Sequence, residues 1–362
     1  MKQRRHCRHV AALLAQYFLI LVCTGCEHRP LEDMYWSDNI FVKIYFDEAI
    51  RNVSYGFYDE SKKRPYYSSP QSMRVMFFDN TSDKFVIERY LHDCGRDEGG
   101  YYIQGSMSVP KGRYNVLAYN FDTKETNTKN DDTYSGITAY TDPLNENEMN
   151  HIFSSRGSIE EYDEPIHRQP EHLFVAKAEN IEIKTSEFAP APDTLLTREG
   201  GYPVAETIVK TYYFQFNVKG VEYVRSAVAL ITGMSGSKNM QTGKMVMDDV
   251  ASIYFGLNNG KEMRNRDTEE STVAYATFNT FGKLPHTEGY IDITFEFKTI
   301  YNTVQTETFH VTDMFETPQV KDKQWIIIDK VIEILPPEDD EIGSGMLPGV
   351  NDWEEIESSI TI

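Results

Sequence analysis

Residues 290–298 read YIDITFEFK, with Ile291, Ile293, Phe295 and Phe297 on one parity and Asp292, Thr294, Glu296 and Lys298 on the other. Alternation of apolar and polar residues has the two-residue period of a β-strand, whose successive side chains point to opposite faces. Such a strand must lay its apolar face on a core, which commits the chain to packed sheets. The pattern recurs. Val42, Ile44 and Phe46 share a face of FVKIYF (41–46), and MRVMFF (73–78), KFVIERYL (84–91) and YYIQGSMSV (101–109) follow, the last closed by the turn signal PKG (110–112). RYNVLAYNF (113–121) is apolar on both parities, as a central sandwich strand is. IVKTYYFQFNV (208–218), SAVALITGM (226–234), VQTETFHV (304–311) and WIIIDKVIEIL (325–335) supply further strands, with Tyr301-Asn302 near the turn into VQTETFHV. NENEMNHIF (145–153) reads as one short helix. Short strands at spacings of roughly ten residues, separated by turns, predict an all-β fold of sandwich type.

The rhythm divides the chain. Residues 122–171, polar in DTKETNTKNDDTYSG and acidic in EEYDEPIHRQPE, read as long surface insertions, after which HLFVAKAENIEI (172–183) returns to the first sheet. Residues 185–206 carry prolines and the adjacent Gly200-Gly201, a boundary composition. The expected division is an N-terminal sandwich over 40–184, a linker over 185–206 and a C-terminal sandwich over 207–335. An acidic linker and last segment occupy 336–362, where Val350, Ile356, Ile360 and Ile362 share a parity and Trp353 lies between them. That segment is either a tail or strand belonging to its own domain, or a detachable strand that adds to a neighbour's sheet edge.

The first residues address location. Met1 to His9 hold four cations and no acid, and residues 10–22 are apolar but for Gln16. A basic head and a short apolar run ending in small residues is a secretory leader, and the run falls short of the roughly 20 residues of a spanning helix. Cys23-Thr24-Gly25-Cys26 ends that leader. A redox dithiol belongs at a helix start within a βαβ unit, and a zinc site needs a second ligand pair, whereas Cys7 and Cys94 are isolated. Thr24-Gly25-Cys26 instead resembles the end of a bacterial lipobox, with Cys23 standing where Leu, Val or Ile is usual. On this reading 1–25 is a lipoprotein signal peptide, Cys26 is acylated, and 26–39 is a tether. Loss of Lys2, Arg4, Arg5 and Arg8 would take the net charge from −20 to −24. So acidic a chain excludes nucleic acid as a partner and leaves the acyl chains, not the protein surface, to hold the membrane.

No motif carries catalysis, and no cofactor or metal pattern is present. Gly233-Met234-Ser235-Gly236 lacks the lysine of a phosphate loop, and His167 and His172 have no third ligand. Asp131-Asp132 lies in an Asn- and Thr-rich loop without the calcium-loop pattern, while Glu160-Glu161 and Asp339-Asp340 are pairs in an acid-rich chain. Cys94 sits in a glycine- and charge-rich loop with no base beside it in sequence. Tyrosine-rich strands, and the aromatics of RPYYSSP (64–70), offer stacking faces for a glycan.

Several segments, in order along almost the whole chain, carry a family resemblance: CEHRPL after the predicted lipid site, VPKGRYNVLAYNFDT (109–123) and VKGVEYVRSAVALITGMSGS (219–238), then ATFNTFGKLP (276–285), TFHVTDMF (308–315), WIIIDKVIEI (325–334) and VNDWEEI (350–356). With them the chain resembles fimbrillin-like lipoproteins of Bacteroidales, and more narrowly a branch known only as a domain of unknown function. The resemblance implies two tandem transthyretin-like β-sandwich domains with Greek-key-type connections, and no active site. It also implies a place among type V pilus stalk, tip or anchor subunits that assemble by strand exchange. Stalk subunits of that group lose a first strand after an arginine; Arg51 follows the first predicted strand, with nothing around it marking a cleavage site. The expectation is therefore a non-enzymatic outer-membrane lipoprotein held at Cys26, a structural or anchor subunit. Its partners would be other fimbrillin-like subunits, reached through a donor strand bearing Val350, Trp353, Ile356, Ile360 and Ile362. The alternative is a glycan-binding surface lipoprotein.

Overall fold

The computed structural model describes residues 36–47, 69–153, 164–183, 194–195, 203–264, 272–285 and 291–336. The predicted leader and last segment, with Cys26, Val350, Trp353, Ile356, Ile360 and Ile362, lie outside the described residues. Six strands come first: β1 (Trp36–Phe46), β2 (Met73–Asp79), β3 (Phe85–Leu91), β4 (Asp93–Asp97), β5 (Gly100–Pro110) and β6 (Gly112–Asn120). The next stretch holds β7 (Asn127–Lys129), β8 (Thr138–Tyr140), helix α1 (Glu146–Ile152) and β9 (Ile166–His167). β10 (Phe174–Ile183), β11 (Thr194–Leu195) and β12 (Val204–Thr207) follow. The second half has β13 (Lys210–Lys219), β14 (Val224–Ser235), β15 (Ser237–Asn239), β16 (Val250–Gly256), β17 (Asn258–Arg264) and β18 (Thr272–Thr280). It ends with β19 (Asp292–Thr299), β20 (Val304–His310), the short helix α2 (Pro318–Lys323) and β21 (Trp325–Glu333). The fold is all-β, as the two-residue period predicts.

The first sheet runs β3-β2-β6-β10-β12-β1-β5-β4 and folds back over its own core. Its corner is β12, where Val204 and Ala205 lie parallel to Tyr45 and Phe46, and Glu206 and Thr207 lie antiparallel to Val175 and Phe174. Ile40, Val42 and Ile44 from β1 meet Val75 and Phe77 from β2, Ile103 from β5, and Val116 and Ala118 from β6. The inward parity of β1 is that read from FVKIYF. The second half stacks two sheets, β17-β18-β13-β21 on β20-β19-β14-β16-β9. Between them lies an aromatic core in which Phe216 and Phe295 have ring centres 4.6 Å apart and Phe255 stacks on Phe278 at 4.7 Å. Each such pair contributes about 0.5–1.5 kcal/mol beyond the area it buries.

Residues 122–171 differ from the expected surface insertion. Tyr134, Ile137 and Ala139 pack on Met76, Phe78, Leu117 and Tyr119, the outward parities of β2 and β6. Leu144, Ile152, Phe153 and Ile166 cover Val228, Leu230 and Tyr254, the outward parities of β14 and β16. Apolar residues spaced singly among Asn, Asp and Thr make no periodic signal, so the polarity of the stretch hid its role as a cover. α1 forms there because its ends are satisfied locally. The Asn145 side chain accepts from the Asn147 and Glu148 amides, and the Glu148 carboxylate accepts from the Asn145 amide, a reciprocal cap. The expected linker also contributes structure: β11 lies beside β1, and β12 sits in the first sheet. Main-chain pairing such as Tyr45 N–H to the Pro203 carbonyl, at 3.0 Å, needs no apolar run in the sequence.

The cover also joins the halves. β8 pairs with β7 on one side and with β15 of the second half on the other. Beside this junction His172 stands between Thr207 and Thr211, Nδ1 at 3.0 Å from one hydroxyl and Nε2 at 2.9 Å from the other. Burial lowers its pKa to about 4, so the ring is neutral, with one nitrogen donating and the other accepting.

Two outcomes follow. Replacing fully buried Ile137 by Ala removes a core side chain and is expected to cost about 2–4 kcal/mol in urea unfolding; a cost below about 0.5 kcal/mol would mark the stretch as mere surface. His172 has a folded pKa below its unfolded value, so its stabilisation is present in full above the ordinary value of 6.5. It is lost as pH falls from there to about 4, because the unfolded chain binds the proton first. The loss is on the order of 3 kcal/mol. Thermal unfolding of His172→Gln across that window should lack this share of the acid slope, and a slope equal to the parent's would contradict the assignment.

Candidate functional site

With one outer face of each sandwich covered, sheet edges are prominent among the surfaces open to a partner. β20 pairs only with β19, and β21 only with β13, among the described residues. These two single-neighbour strands face each other across one side of the second sandwich. The Gln305 side-chain amide donates to the Glu333 carbonyl at 2.9 Å, and the Lys330 ammonium lies 5.2 Å from the Phe309 ring centre. Val331 is 47% exposed and Leu335 65% exposed at the same edge. An edge strand offers a row of unpaired N–H and C=O groups, and proteins commonly guard such rows with charge. β4 carries Asp93, Arg96 and Asp97. β20 (VQTETFH) has Glu307 as its one acid and no Lys or Arg. It is the less guarded edge, chemically suited to accept a strand.

A second exposed feature lies at the β3-β2-β6 end of the first sheet. Tyr90 and Phe121 meet edge to face at 5.3 Å, and Tyr119 stands 6.3 Å from Phe121. Arg74 lies beneath, 5.7 Å from the Phe121 ring centre, held by Glu88, Asp131 and the Tyr119 hydroxyl. The arrangement presents a ring face with polar groups at its rim. The sequence pointed instead to RPYYSSP, of which residues 64–68 lie outside the described residues.

The other sequence candidates do not converge. His167, in β9, has Nδ1 3.3 Å from the Thr141 hydroxyl and its pKa lowered by burial, while His172 is bonded to two different threonines. Asp131 pairs with Arg74. Cys94 is half-buried in β4, its Sγ 3.5 Å from the Gln71 carbonyl. Gly233 lies within β14 at φ +71°, its amide donating to Glu164. Among the described residues no group of three His, Cys, Asp or Glu could hold a metal, and no helix is long and apolar enough to cross a membrane.

Comparison with known proteins places this geometry. A family model described as a domain of unknown function, DUF5119, matches residues 61–256. A candidate fimbrium anchoring subunit of Bacteroides ovatus, Fim4B, is 26% identical over 304 residues, which cover 82% of this chain and 78% of that one. A candidate adhesin of Bacteroides ovatus, solved by crystallography, aligns with 87% of this chain and 98% of its own at 23% identity and a TM-score of 0.54, a shared fold. The fimbrial anchor protein Mfa2 of Porphyromonas gingivalis aligns at 11% identity and a TM-score of 0.43, over 82% of this chain and 90% of its own.

Proposed function

The chain belongs to the DUF5119 family, and from that premise we propose that it is a non-enzymatic fimbrial surface protein of the anchoring type. In this reading a lipid on Cys26 holds it to the outer membrane, and β-strand addition joins it to other fimbrial subunits. The observation that carries the reading is the sparsely charged edge strand β20, with Val331 and Leu335 exposed nearby on the β21 side, in a chain similar to a candidate fimbrium anchoring subunit. Strand addition draws its affinity from main-chain hydrogen bonds and its register from alternate side chains seated in pockets. Val350, Ile356, Ile360 and Ile362 supply such an alternating row on the donor side, with Trp353 as a large anchor. The net charge of −20 gives the body no attraction to anionic headgroups, which leaves attachment to the lipid.

Deletion of 344–362 is expected to abolish co-purification with fimbrial subunits while leaving the unfolding transition of the monomer unchanged. Val331→Lys with Leu335→Lys, at exposed positions, should weaken the same association with little effect on stability. If the deletion unfolds the monomer, the segment is a strand of its own domain and the donor role fails. Mass spectrometry of the mature N-terminus from membranes should find an acylated Cys26; an unmodified start at another residue would remove the anchor.

A further inference from the structure

On the second half, beside its junction with the first, the structure has an open cavity of about 550 Å³, within the range that holds small molecules. Tyr212 and Phe315, whose rings meet edge to face at 5.4 Å, are among its lining residues, and four lysines line it, Lys210, Lys238, Lys283 and Lys321, against the single acid Glu316. The chain as a whole has 56 acids to 36 bases, so the lining reverses the composition around it. Glu316 is already engaged. Its carboxylate takes Lys321 at 2.8 Å and Lys283 at 2.9 Å, and those hydrogen bonds hold its pKa down at about 2.

Lys210 and Lys238 have no carboxylate partner among the described residues. The half-buried Lys238 ammonium donates to the Ile208 carbonyl at 2.7 Å and to the Phe281 carbonyl at 3.3 Å. An ammonium has three donors, so one remains. Burial, reinforced by the like charge of Lys210, lowers the pKa of Lys238 to about 8. A half-buried cation facing a second cation without a counter-ion is the group that an entering anion stabilises most.

We propose that this cavity binds a small organic anion, a carboxylate or sulfate on a ring-sized body such as an acidic monosaccharide. Lys210 and Lys238 hold the charged group, and the lining at Tyr212 and Phe315 flanks the ring. The site does not rest on strand addition and survives if that reading fails.

The test is calorimetric titration of the full chain with glucuronate, with inorganic sulfate and with glucose. Glucuronate is expected to bind and glucose to give no heat. Lys210→Gln, at an exposed position, should weaken glucuronate at least about tenfold with an unchanged unfolding temperature. Lys238→Gln should weaken it as well, and Lys283→Gln, whose charge is already met by Glu316, should weaken it less. No binding of glucuronate at about 10 mM, or affinity undiminished in Lys210→Gln, overturns the proposal. Sulfate binding as tightly as glucuronate would overturn the part assigned to the aromatic walls.

Discussion

The outward faces of β2, β6 and β14 are nearly as apolar as their inward faces, and the rest of the architecture answers to that. Met76, Phe78, Leu117, Val228 and Leu230 are all buried, yet none faces the core of its own sandwich. A sheet with two apolar faces needs cover on both, as parallel sheets receive from their helices. Here one connecting stretch between β6 and β10 supplies it to both halves in turn. Its first part, through β7 and β8, lies over the first sandwich, and its second, through α1 and β9, lies over the second. Because the same segment is bound to each half, β15 of the second can pair with β8, and Phe281 and Met240 join the cluster on the first. Burial of a large apolar side chain is worth about 1.5–3 kcal/mol, so Met240 and Phe281, set by the second half into this cluster, resist separation of the halves.

Covering the faces decides what remains for partners. A sandwich with bare outer faces would expose broad apolar patches, which mark binding or aggregation surfaces. Among the described residues, large apolar side chains are exposed in small numbers, Phe121 on the first sandwich and Val331 and Leu335 at the β21 edge among them. The polar main chain of the edges is then the largest unsatisfied resource. Charges stud β4, while β20 is mainly Val, Gln, Thr and Phe. Guarding some edges and not another is how a protein admits one kind of neighbour and refuses the rest.

How far the sequence disclosed this differs by element. Where one face meets a core and the other meets water, as in β19 and β20, sequence located the strand within a residue or two, while β1 ends where FVKIYF ends but begins five residues earlier, at Trp36. β14 and β6 were found as strands; the two-sided apolarity of β6 was read as centrality within a sandwich, when the stretch that follows it provides its second face, and β14 receives its own from a later part of the same stretch. β4, β7, β8 and β15 escaped notice because three to five residues such as DCGRD or NTK carry no period to read. The helix from 145 onward showed in its spacing, while its cap, an Asn with a Glu three residues on, fixed where it starts. The cavity lysines were beyond reach of the sequence. Lys210, Lys238, Lys283 and Lys321 come from four separate parts of the chain, and tertiary folding alone brings them to one opening.

That lysine group also bears on how the junction is held. Lys238 ties the β15 segment to the Ile208 and Phe281 carbonyls, and the residue after Ile208 in this short connection, Val209, belongs to the shared cluster. A neutral glutamine could donate to one carbonyl but would lose the charge-assisted bonds to both. The cation therefore has a structural use at the same time as it carries an unmatched charge. These demands pull in opposite directions: the carbonyls favour the ammonium, while burial and Lys210 oppose it. An anion in the cavity would remove the second demand without disturbing the first, so occupancy of the cavity and firmness of the junction should rise together.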